Sequence, residues 1–159
     1  MITQERLKEL LTYDPATGEF RWIVSRGPNR AGNSAGCIDK AGYRIIEIDG
    51  KAYRAARLAF LYMTGAFPNR QADHRDTNPG NDRWENLRDA THSQNCANKR
   101  ARGKLGVKGV SLLPSGNYRV IVKKDGRRIH LGVTDNFTIA GYMYRLGAAF
   151  YHGEFARVA

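Results

Sequence analysis

Asp73 and His74 stand side by side, and Asn78, Asn81, Asn86, Asn95 and Asn98 follow closely in the stretch ADHRDTNPGNDRWENLRDATHSQNCANKR. These residue types suit phosphodiester hydrolysis. That reaction needs an activated water, neutralised phosphate charge and a stabilised leaving oxygen. A neutral imidazole supplies the first and a divalent cation the other two. Asp73 is a hard oxygen ligand suited to Mg²⁺, and the side-chain carbonyl of Asn95 is another. Adjacent residues on a strand point opposite ways, so Asp73 can serve a metal while His74 serves a water. Asn86 is placed to bridge the loop and hold His74 in orientation. The same residues also have a plain structural reading. Asp-His pairs are common at surface turns, and Asn tolerates left-handed backbone.

The elements that must position these groups are readable. Gln71–His74 and Asn86–Ala90 read as two short strands around a polar loop. Thr91-His92-Ser93-Gln94 fits a capping box, so a helix carrying Asn95 is predicted to begin there. Upstream, Thr3 caps a short helix through Leu11, and a turn at Asp14–Gly18 feeds a strand over Glu19–Val24. Residues 25–37 read as a loop. GYRIIEIDGKAYR is predicted to form a hairpin about Asp49-Gly50, and AARLAFLYMTG a helix ending at Gly65.

The last third has period two. Tyr118, Val120 and Val122 alternate with Arg119, Ile121 and Lys123. After Asp125-Gly126, Ile129 and Leu131 alternate with Arg128 and His130. This predicts a half-buried antiparallel sheet with one apolar and one mostly basic face. Ile139, Met143, Leu146, Gly147 and Phe150 mark the helical stripe expected to cover the apolar face, leaving the basic face for a partner. His152 reads as a capping or packing residue and His92 as solvent-exposed.

Charge points the same way. The net charge is +11, of which residues 1–98 carry +2, the segment KRARGK at 99–104 carries +4 and residues 105–159 carry +5. That asymmetry predicts a polyanion partner, nucleic acid first. Cys37 and Cys96 form no C-x-x-C pair, so no structural zinc is expected, and both read as buried or idle thiols. No apolar run is long enough for a membrane span, and the N-terminus is amphipathic rather than a leader, so the expectation is a soluble intracellular protein.

DHRDTNPGNDRWENLRDATHSQNCANK resembles the HNH endonuclease family in its ββα-metal form, particularly phage homing endonucleases with Asn at the third position. The resemblance makes Asp73 and Asn95 the ligands of Mg²⁺ or Mn²⁺, His74 the general base and Asn86 an orienting residue. YRAARLAFLYMTG resembles the preceding helix of phage and prophage members, with Ala56 where they usually carry His. From GVKGVSLLPSGNYRVIVKKDGRRIHLG to YHGEFA, the chain resembles the Apetala/ethylene-response-factor DNA-binding domain, in which a three-stranded sheet backed by one helix lies in the major groove. That likeness implies DNA contacts at Lys108, Ser111, Lys123, Arg128 and His130, and the alternation adds Arg119. The basic segment adds Lys99, Arg100, Arg102 and Lys104. This family often has an acid where Ile121 stands and an aromatic where His130 stands, so base preferences do not carry over.

The expected architecture is α+β. A ββα-metal HNH nuclease module over residues 1–98 (motif 71–99) is followed by a basic linker over 99–106. A three-stranded antiparallel sheet packed on one helix then occupies 107–159. The expected function is a metal-dependent homing endonuclease of phage or prophage origin. It would act as a monomer in the bacterial cytoplasm and nick one strand of an asymmetric site in double-stranded DNA. The alternatives are a DNA-binding regulator with a decayed nuclease motif, for which Ala56 speaks, and a restriction or packaging nuclease.

Overall fold

The computed structural model describes residues 1–25, 27–99, 101 and 105–157. Backbone contacts divide the chain into two units, Met1–Asp89 and Ala90–Ala159.

In the first unit, α1 (Gln4–Leu10) starts at Thr3, whose hydroxyl accepts the Arg6 N–H at 3.2 Å and satisfies one orphan donor of the first turn. The antiparallel pair β1 (Leu11–Tyr13) and β2 (Phe20–Trp22) flanks a turn held by Asp14, which accepts from the Ala16 N–H and the Thr17 hydroxyl. A second sheet runs in the order β3 (Cys37–Ile38), β4 (Arg44–Ile48), β5 (Lys51–Arg54). Asp49 and Gly50 join β4 to β5 at φ +49° and +74°, the two left-handed residues of a tight hairpin turn. From β5 the chain enters α2 (Ala55–Thr64), which ends on Gly65 at φ +79°. Leu7, Leu11, Phe20, Ile46 and Leu58 make the fully buried centre of this unit. Beyond it, β6 (Gln71–His74) pairs with β7 (Leu87–Ala90). The second strand starts at Leu87, because Trp84–Asn86 close a 3₁₀ turn just before it.

The second unit opens with α3 (His92–Asn98). Its capping box is complete: Thr91 accepts from the Gln94 N–H, and the Gln94 side chain accepts from the Thr91 N–H. The antiparallel sheet that follows has the order β10 (Arg127–Thr134), β9 (Tyr118–Lys124), β8 (Val110–Leu112). Asp125 and Gly126, at φ +50° and +80°, turn β9 into β10. The helix α4 (Phe137–His152) backs this sheet, with Val120 and Val122 fully buried in a cluster with Ala140, Tyr144 and Ala148.

The stripe expected on α4 is only partly the packed one. Gly147 lies against Leu131, and Met143 joins the core edge, but Ile139, Leu146 and Phe150 are 50%, 73% and 81% exposed. Small residues let the helix approach the sheet closely. A Cβ at Gly147 would run into Leu131, so the bulky side chains occupy the neighbouring face.

The sequence boundary after residue 98 groups α3 with the motif it completes, whereas contacts group it with the sheet. Three hydrogen bonds illustrate why. The Asp125 N–H donates to Ser93 Oγ at 3.0 Å, and Lys108 Nζ donates to the carbonyls of Cys96 and Ala97. Cys37 is exposed and Cys96 half-buried, so of the two readings, buried or idle, the structure excludes burial. No described helix is long and apolar enough to cross a membrane.

Candidate active site

The polar loop between β6 and β7 is organised by one carboxylate. Asp76 accepts from the Asn78 N–H at 2.8 Å, Asn81 Nδ2 at 2.7 Å and Asn86 Nδ2 at 3.0 Å. Burial alone would raise its pKa, but these donors outweigh burial and hold it below the ordinary carboxylate value. Asn86 is buried. It also donates to the Asn81 carbonyl at 2.8 Å and accepts the Asp76 N–H at 3.1 Å. The amides so conspicuous in the sequence thus largely close the loop on itself.

Asp73 and His74 end β6, each only 6% exposed, and alternation sends them to different partners. Asp73 Oδ2 accepts from Arg88 Nε at 2.9 Å, and Arg88 on β7 is itself 7% exposed. His74 Nε2 lies 2.9 Å from Asp82 Oδ1. The Tyr43 ring is 6.1 Å from the His74 ring, and the Arg54 guanidinium sits 4.0 Å from the Tyr43 centroid. Asn86 braces the loop as expected, but its hydrogen bonds go to Asp76 and Asn81. The carboxylate against the imidazole is that of Asp82. Asn95 lies half-buried on the first turns of α3, where its N–H donates to the Thr91 carbonyl.

Asp82 and Arg88 are the residues that sequence reasoning missed. Both lie inside the motif, Asp82 in NDRWEN and Arg88 in NLRD. Their charge was visible, but nothing local says that a loop acid folds back onto an imidazole eight positions earlier. Packing puts it there. The Tyr13 hydroxyl donates to the Asp82 carbonyl at 2.7 Å, and the Trp84 N–H donates to the Pro15 carbonyl at 3.0 Å. Gly18, at φ +78°, passes so near that a Cβ would come within 2.5 Å of the Asp82 backbone. Ala56 is 3% exposed within the first core, where its methyl packs among apolar neighbours.

Among the described residues, no group of three His, Cys, Asp or Glu is arranged to hold a metal. The donors in question are a carboxylate and an amide. That oxygen set fits Mg²⁺, which commonly binds one or two carboxylates and fills its shell with phosphate and water.

In the second unit, strand register gathers most of the sequence-predicted DNA contacts on one face. Ser111 is opposite Arg119, Ile121 opposite His130, and Lys123 opposite Arg128. Lys124 also faces Arg127, so four cations crowd the Asp125-Gly126 turn. Like charges directly opposite one another destabilise a sheet unless an anion neutralises them. This face is not wholly open. A groove of about 870 Å³ runs between it and α3, lined by Ser93 and Cys96 on one side and Arg119, Lys123 and Arg128 on the other.

Lys108 does not join that face. Its Nζ donates to the carbonyls of Cys96, Ala97 and Lys99 at 2.7, 2.6 and 2.9 Å, so it caps the C-terminal end of α3. Burial pushes its ammonium below the ordinary lysine pKa. Lys99 is exposed, whereas Arg100, Arg102 and Lys104 lie outside the described residues. His130 is exposed. His152 is half-buried at the end of α4, and burial lowers its pKa.

Comparison with known proteins bears on this same segment. Over 120 residues the chain is 32% identical to an uncharacterized HNH endonuclease of Acanthamoeba polyphaga mimivirus, a match covering 75% of this chain. It spans 63% of the length of that viral protein. Residues 53–97, from β5 through the segment carrying Asp73, His74, Asn86 and Asn95, match the HNH endonuclease family.

Proposed function

We propose that this chain is a metal-dependent DNA endonuclease whose N-terminal HNH segment cuts and whose C-terminal sheet binds DNA. The observation that carries the reading is the end of β6, where Asp73 and His74 are adjacent, buried and turned to separate partners. Asp73 and Asn95 are the residues that would hold Mg²⁺ or Mn²⁺. Bound there, the ion would neutralise phosphate charge and stabilise the departing 3′ oxygen. His74 takes a proton from the attacking water, whose oxygen bonds to phosphorus as the P–O3′ bond breaks and its electron pair stays on O3′. Arg88 fixes the Asp73 carboxylate, and Asn86 keeps the loop closed.

The finer reading is a homing endonuclease of phage or prophage origin, acting as a monomer in the host cytoplasm. It would nick one strand of an asymmetric site in double-stranded DNA. A single motif and two unlike units support it, since a two-fold dimer would favour a palindrome. On supercoiled plasmid with one target, open circles should accumulate first, and chelation by EDTA should stop the reaction. Strong cleavage in EDTA would overturn metal dependence, and linear product without an open-circle phase would overturn the nickase assignment.

Binding is assigned to Ser111, Arg119, Lys123, Arg128 and His130, together with Lys99, Arg100, Arg102 and Lys104. The three-stranded sheet backed by α4 supports an Apetala/ethylene-response-factor-like mode, with α3 bordering the face as an added constraint. Lys123→Ala should weaken binding to all sequences and lower the salt slope by about one unit. Arg128→Ala should in addition lose roughly 1–3 kcal/mol of discrimination at one base pair. Titrations of specific and random duplexes across salt concentrations distinguish the two effects. Unchanged slopes for both variants would remove the sheet from the interface.

A further inference from the structure

We infer that Asp82 is the positioning residue for His74, holding the ring in one orientation and in the tautomer that carries its proton on Nε2. The inference rests on the endonuclease reading for its consequence, but its geometry stands apart from it. Asp82 Oδ1 and His74 Nε2 are 2.9 Å apart, with the residues 3% and 6% exposed, so water competes little for the contact. An ionised carboxylate only accepts hydrogen bonds, so the nitrogen facing it must be the one bearing hydrogen. In the neutral ring the hydrogen therefore sits on Nε2.

The second carboxylate oxygen strengthens the assignment. Among the described residues Asp82 Oδ2 is buried without a hydrogen-bond partner, and the ring is the only side chain bonded to this carboxylate. A buried acid satisfied on one side only is costly, and an asparagine would fill the same volume at lower cost. What the acid provides and the amide does not is a demand for N–H at Nε2.

The backbone beneath Asp82 is held on both sides. Its carbonyl accepts the Tyr13 hydroxyl, and the carbonyl of the preceding Asn81 accepts Asn86 Nδ2. The loop amides therefore act on the imidazole through Asp82. Asn86, expected to orient His74 itself, does so at one remove.

Two readouts on the full chain decide the matter. With ¹⁵N-labelled histidine, without metal and at alkaline pH, the wild-type His74 signal should show the Nε2–H form, identified by its loss in His74→Ala. Asp82→Asn should move it toward Nδ1–H or a mixture. In plasmid cleavage, Asp82→Asn should lower kcat by roughly 10²–10⁴-fold with KM little changed. Because this variant is isosteric, a thermal melt shows whether the fold survives, and the wild-type tautomer is read without it. A wild-type ring in the Nδ1–H form, an unchanged kcat, or a loss wholly in KM would overturn the inference. A wild-type chain that shows Nε2–H yet cuts no DNA would sink the nuclease reading and leave the Asp82–His74 assignment standing.

Discussion

Replacing His74 by alanine is expected to lower DNA cleavage by about 10²–10⁴-fold, the usual contribution of a positioned general base. Duplex affinity should stay near wild type, because the ring ends β6 of the first unit and the cationic face lies on β9 and β10 of the second. The variant also removes the partner of Asp82 and leaves a buried carboxylate without its hydrogen bond. Some loss of stability should accompany the loss of rate, so both must be measured on the same preparation. Single-turnover cleavage with saturating enzyme, beside a binding titration in EDTA, separates chemistry from affinity. Full activity in this variant would remove His74 from the mechanism.

Arg88→Ala should produce the largest loss of stability, about 3–5 kcal/mol, because it removes one member of a buried ion pair and its hydrogen bond to the Asp73 carboxylate. The pair is 2.9 Å apart with both members more than nine-tenths buried. Its geometry is one of position as much as energy, since the guanidinium on β7 holds the carboxylate on β6. Adding Asp73→Ala to Arg88→Ala should recover part of the loss, because the buried carboxylate that lost its Arg88 bond goes too. Urea unfolding of the two single variants and the double variant completes the cycle. Strict additivity would mean that the two side chains do not act as a pair in solution. Cleavage should fall in Arg88→Ala even where the protein remains folded, because a carboxylate that wanders is a poor ligand.

Much of the local structure was legible because it depends on near neighbours. Asp49-Gly50 and Asp125-Gly126 each put two left-handed residues in a turn, and both turns formed as expected. Thr3 and Thr91 capped the helices that follow them, and Gly65 ended α2, for reasons contained within a few residues of chain. The alternation of Val120 and Val122 with Arg119 and Lys123 likewise sorted one sheet into a buried and a cationic face. The motif from Asp73 to Asn95 was readable as a set of residue types, and with it the reaction class proposed here.

Tertiary structure decided the rest, wherever two groups distant in sequence competed for one place. Helical period alone could not tell which stripe of α4 packs. Steric closeness chose the Ala140–Tyr144–Ala148 side and left Leu146 and Phe150 in solvent. Lys108, expected from the sequence to touch DNA, instead donates to the carbonyls at the end of α3, an arrangement that needs two separate segments folded together. Asp82 meets His74 because Tyr13 and the Gly18 turn, more than sixty residues earlier, fix its backbone. Sequence by itself determined which chemical groups are present and which local elements carry them. Which acid faces which base was decided only when close packing brought those elements together.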